Sequence, residues 1–152
     1  MTDDVFSQPA SGTRLYLGDS LELQIDADLV GDWEVSVYDE DDWQIGVSPG
    51  DFGSRAPEAH AWRPAVGRLS EVRVASQRTP AGYVVELALP WALLGVDPAK
   101  TSAIGLALNV SDNDEPRPAQ LSMVSSAPLR SWSDPRTFGT LVLEPPSSVG
   151  RP

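Results

Sequence analysis

Cysteine is absent from the 152 residues, so neither a disulfide framework nor a thiolate metal site is available. Histidine occurs once, at position 60, and no G-x-S-x-G, H-E-x-x-H or phosphate-loop pattern is present. Most catalytic templates fall with those absences. A glycosidase would need two carboxylates at a set separation, but 22 acidic residues always supply some pair, so that signal is empty and the chain reads as non-enzymatic. Basic residues are scarce as well. Eleven against 22 acidic ones leave a net charge of −11, which opposes nucleic acid and suits a neutral partner such as a carbohydrate, or divalent cations. No apolar run approaches the roughly 20 residues that span a bilayer, so no membrane partner is expected. The opening residues MTDDVFSQ lack the features of a signal peptide, so the signal of an exported protein would lie outside this chain.

Fourteen Pro and twelve Gly punctuate short apolar runs, the composition of many strands joined by turns. Leu21, Leu23 and Ile25 alternate with Glu22, Gln24 and Asp26, which predicts a half-buried strand. The same period predicts strands at Trp33 to Val37, Trp43 to Val47, Val72 to Val74, Ile104 to Val110, Leu121 to Met123 and over 137–143. A short edge strand is expected near Trp62, and a disordered tail over 145–152. Residues 82–96, GYVVELALPWALLGV, carry apolar side chains in both phases and read as a central strand covered on both faces. Pro90 ends that strand, and a single helical turn follows up to Gly95. Within it Glu86 faces either open solvent or a cation or Arg opposite. Roughly eight strands with almost no helix make an all-β antiparallel β-sandwich of two sheets, jelly-roll-like, over residues 1–144.

Trp33 and Trp43 share phase with strand aliphatics and are expected in the core, and Trp91 against the sheet. Trp132 differs, because it stands in the polar loop SWSDP and can act as a stacking platform. Tyr16 precedes a strand and is a second, weaker candidate. Asp39, Asp41 and Asp42 with Glu40 form one acidic turn, and Asp112 and Asp114 with Glu115 form another. Grouped hard oxygens are what Ca²⁺ takes, although neither turn has EF-hand spacing, and solvated acidic turns are the alternative.

The segments GDSLELQID, GYVVELALPW, IGLALNVSD and WSDPRTFGTLVL, in that order, resemble the family 9 carbohydrate-binding modules and cover most of the chain. The resemblance implies a non-catalytic sandwich with structural calcium. It also implies that the module binds sugar chain ends between two aromatic side chains, as part of a larger extracellular polysaccharide-active protein. By position Trp132 would be one wall of that clamp and Tyr16 the other, where the family usually has Trp. Glu22 would accept hydrogen bonds from sugar hydroxyls, and Gln120 lies near a binding glutamine. Gly46 stands where family binders use an Arg and Leu129 where they use an Asn, and Arg73 is a candidate replacement for the lost Arg. The family also has strands ahead of the segment where this chain starts, so a fragment truncated at its N-terminus is expected, with an exposed edge and apolar face. The other reading left open is a structural or protein-interaction sandwich without the sugar site. A haem-binding relative would have only His60, Met1 and Met123 as poor axial ligands.

Overall fold

The computed structural model describes residues 5–31 and 33–144. Nine strands account for most of the regular structure: β1 (Ser20–Asp26), β2 (Asp42–Ser48), β3 (Glu58–Arg63), β4 (Gly67–Arg68), β5 (Arg73–Thr79), β6 (Gly82–Ala88), β7 (Ala103–Asp112), β8 (Ser122–Ser125) and β9 (Gly139–Val142). Two short 3-10 helices, Gly12–Leu17 and Pro135–Thr137, are the only helices among the described residues. Seven strands form one antiparallel sheet in the order β4-β3-β2-β1-β7-β8, with β9 also paired to β7. The remaining two, β5 and β6, form a hairpin sheet of their own.

Period-two patterning explains which face is which. Leu21, Leu23 and Ile25 stand opposite Val47, Ile45 and Trp43 on β2 and opposite Val110, Leu108 and Leu106 on β7, so one face of the large sheet is a continuous aliphatic surface. Ile25, Ile45, Val47, Ala59, Ala61 and Ile104 are buried there, with Val74, Val85 and Leu87 of the hairpin packed against them. The opposite, outer face carries the intervening residues: Glu22 and Gln24 from β1, Gln44 and Gly46 from β2, and Asn109 and Ser111 from β7. The hairpin covers only part of the inner face. Leu108, Leu141 and Val124, which share that face by register, are 40%, 39% and 71% exposed.

Several expectations need correction. The stretch that begins β6 is not a central strand, since β6 has β5 as its only strand partner among the described residues. Its second apolar phase faces outward, with Val84 49% exposed and Glu86 exposed opposite Ala75. Apolar residues in both phases describe an incompletely covered flap as well as a central strand. The turn after Pro90 does form, closed by Leu94 N–H to the Trp91 carbonyl at 3.1 Å, and ends at Gly95 with φ +71°. Trp91 itself is 38% exposed. Trp33 and Val37 lie in an irregular loop, 68% and 64% exposed, because turns between β1 and β2 replace the expected strand. Trp43 is in the core as expected. His60 sits in β3, and Met123 faces outward beside Ser111. The expected disordered tail lies outside the described residues.

Candidate functional site

The outer face of the large sheet is not flat. The 3-10 helix Gly12–Leu17, the loop before β2, the end of β3 and the loops before and after β8 rise around it and enclose a cleft of about 880 Å³. That volume is near the upper end of the roughly 300–1,000 Å³ that small-molecule sites span. Tyr16, Glu22, Gln120 and Trp132, separated by up to 116 residues (132 − 16), all line it. So do Trp62, Arg63, Gln44, Met123 and Arg130.

Polar side chains of the outer face lie along and beneath the cleft. Gln44 Nε2 donates to Glu22 Oε1 at 3.3 Å. Beside it, Arg130 Nε donates to Asn109 Oδ1 at 2.8 Å, and Asn109 Nδ2 donates to Gln24 Oε1 at 3.4 Å. Gln24 Nε2 then donates to the Tyr38 hydroxyl at 3.0 Å and to the Trp132 carbonyl at 3.2 Å. Gln24 and Asn109 are fully buried, so these partners are required rather than optional. Burial lifts the Glu22 carboxyl above its ordinary value, and the Gln44 hydrogen bond and the Arg130 charge partly offset it. Burial, with the neighbouring Glu22 and Asp42 charges, also pushes the Tyr38 phenol well up, so it stays a neutral hydroxyl.

The Trp132 loop is held by its backbone while its ring stays open. Besides the Gln24 contact, Ser131 N–H donates to Thr137 Oγ1 at 2.7 Å. Asp134 accepts Arg136 N–H at 3.2 Å, capping the 3-10 helix Pro135–Thr137, and also pairs with the Arg136 guanidinium at 2.7 Å. The Trp132 residue is 57% exposed. On the helix Gly12–Leu17, Tyr16 meets Trp62 edge to face at 6.0 Å. The Arg63 guanidinium stacks over the Tyr38 ring at 5.1 Å. Gln120 Nε2 donates to Ser111 Oγ at 2.7 Å.

Arg73 lies on β5, in the other sheet, and is not among the cleft residues. The guanidiniums that reach the cleft belong to Arg130 and Arg63. Leu129 is 88% exposed. The carboxylates of the acidic turns have hydrogen-bond partners within the protein. Asp39 Oδ1 accepts Asp41 N–H at 3.3 Å, Asp41 Oδ2 accepts Asp28 N–H at 2.6 Å, and Asp42 Oδ2 accepts Asp39 N–H at 2.9 Å. In the second turn Asp112 Oδ2 accepts the Ser122 hydroxyl at 3.2 Å, and Asp114 is exposed. Among the described residues no three His, Cys, Asp or Glu side chains are grouped to hold a metal.

Trp62, Arg130, Gln24 and Asn109 went unread as site residues in the sequence. Gln24 and Asn109 share strand phase with Glu22 and Ser111, a signal that marks the face but not its use. Arg130 and Trp62 carry no local signal.

An antiparallel β-sandwich with a cleft of aromatic and polar side chains on one sheet is the architecture of a ligand-binding module. The chain matches the carbohydrate family 9 binding domain-like family over residues 1–145 and belongs to it. Among solved structures it is similar to a family 9 carbohydrate-binding module from Caldicellulosiruptor kristjanssonii in complex with cellotriose, with 21% identity and a TM-score of 0.72. The match covers 99% of this chain and 70% of that one. The search of curated proteins returned no match.

Proposed function

We propose that this protein is a non-catalytic carbohydrate-binding module that holds a sugar, or the end of a polysaccharide chain, in the outer-face cleft. The observation that carries the reading is the meeting of Tyr16, Glu22, Gln120 and Trp132 around one cleft, although they come from four separate segments. A pyranose presents apolar C–H faces and a rim of hydroxyls. Aromatic side chains cover the former, and a carboxylate and carboxamides bind the latter. Trp132 and Tyr16 take the stacking roles, Glu22 accepts from sugar hydroxyls, and Gln120 and Arg130 donate to them. The neighbour in complex with cellotriose supports a β-linked glucose oligomer as the first ligand to try. The family supports an extracellular setting and attachment to a polysaccharide-active partner domain, which such a module would bring to its substrate by raising effective concentration.

Titration of tryptophan fluorescence with glucose, cellobiose and xylose oligomers, with and without Ca²⁺, tests the proposal. A saturable shift is expected, and its dependence on Ca²⁺ reads the calcium question directly. A flat response from folded protein would remove the sugar reading and leave a protein-interaction sandwich, which the exposed Leu129 and the side-chain-free Gly46 favour.

A further inference from the structure

We propose that Trp62 is itself a ligand-contacting residue of the cleft, forming one aromatic corner with Tyr16, and that Gly46 is glycine in order to admit it. The inference rests on the sugar-binding reading and goes beyond it by adding a stacking residue and naming the position that enables it.

Trp62 stands at the end of β3, on the outer face with Glu22 rather than among the core aliphatics, and lines the cleft. Its ring is pinned from three sides. The indole N–H donates to the Thr13 carbonyl at 3.0 Å, Tyr16 meets it at 73° between planes, and His60 lies 5.8 Å away. An indole whose only polar group is already satisfied inside the protein has its apolar surface left to offer a ligand. The room for that ring comes from β2. A Cβ built on Gly46 would fall 2.3 Å from Trp62 Cη2 and 2.7 Å from Cζ3, with Leu15 Cδ1 also at 2.7 Å. Any side chain at position 46, an Arg included, would compete with the indole for the same space. Gly46 and Trp62 are therefore coupled: the indole lies over the space that a side chain on β2 would need. The smaller face of Tyr16 is extended by a second ring held nearly at right angles, so the corner can touch a sugar on a face and along an edge.

The test is calorimetric titration with cellotriose and xylotriose, paired with thermal melts, of wild type, Trp62→Ala, Trp62→Phe, Gly46→Ala and the Gly46→Ala/Trp62→Ala double variant. Trp62→Ala is expected to weaken binding about tenfold or more, and Trp62→Phe to recover much of that loss, with a native circular dichroism spectrum throughout. Gly46→Ala is expected to lower both the melting temperature and the affinity when Trp62 is present, and to lower them less when it is absent and only the Leu15 contact remains, a non-additivity that direct contact predicts. Wild-type affinity in Trp62→Ala would overturn this inference and leave the sugar reading standing. Additive melting shifts would overturn the coupling of Gly46 to Trp62. A folded wild type that binds neither sugar would overturn both readings together.

Discussion

Trp132→Ala separates a binding residue from a structural one, because the structure allows the two effects to be sized independently. The residue is 57% exposed, and its loop is positioned through its backbone carbonyl on Gln24 and through Asp134 and Thr137, none of which depends on the indole. Truncation should therefore shift the melting temperature only slightly. A tryptophan side chain offers roughly 200–250 Å², so 57% exposure leaves about 120–140 Å² open, and a sugar laid on one face would cover about half of it. At about 25 cal/mol per Å² the roughly 60–70 Å² lost would cost about 1.5–1.8 kcal/mol, or ~10–20-fold in Kd. Calorimetric titration of both proteins with cellotriose measures the ratio, and melts run alongside check the fold. A change of less than about twofold in Kd, with the melting temperature held, would refute the stacking role. A large fall in melting temperature would refute the argument that the loop stands on its backbone.

Glu22→Gln keeps an oxygen for Gln44 but removes a charge whose pKa is raised by burial. The protonated folded form is the favoured one, so the wild type's relative gain is complete below the unfolded value of 4.5 and is lost as pH rises through the higher folded value. The variant should therefore melt higher than wild type near pH 7, converge with it below about pH 4.5, and bind sugar less well at pH 7; melts and titrations across that range check the sign. Arg130→Ala should weaken binding and loosen the Asn109 and Gln24 chain, whereas Arg73→Ala, in the other sheet, should leave affinity unchanged; parallel titrations would show a reversal at once. Ile45→Ala removes a fully buried side chain from the centre of the core and should cost about 2–5 kcal/mol in urea unfolding, with no direct effect on the cleft.

The split between what was legible and what was not follows element by element. The alternation in β1, β2 and β7 was readable because each strand has one face in the core and one outside, and that asymmetry is written locally. It placed Glu22 on the outer face correctly. Residues 82–88 misled for the same reason: two apolar phases signal burial on both sides only when a second layer is complete, and here Val84 is left uncovered. Trp33 followed the alternation rule but has no strand partner, because the chain between β1 and β2 turns instead. The acidic turns had the residue types for a cation, and among the described residues Asp39, Asp41 and Asp42 instead accept backbone N–H groups, which residue types alone do not foretell.

The sequence by itself determined the fold class, most strand positions and the polar face that carries Glu22, because hydrophobic alternation and turn residues act over a few neighbours. Local context marked Trp132 and Tyr16 as stacking candidates, and the resemblance of four ordered segments paired them as a clamp and added Gln120. Only the tertiary structure decided that β1 lies between β2 and β7, that Arg130 rather than Arg73 reaches the cleft, and that Trp62 fills the space above Gly46. Those outcomes depend on pairings between residues tens of positions apart, Leu23 with Leu108 among them. Such pairings are set by how a whole sheet closes over its core, and no local pattern encodes them.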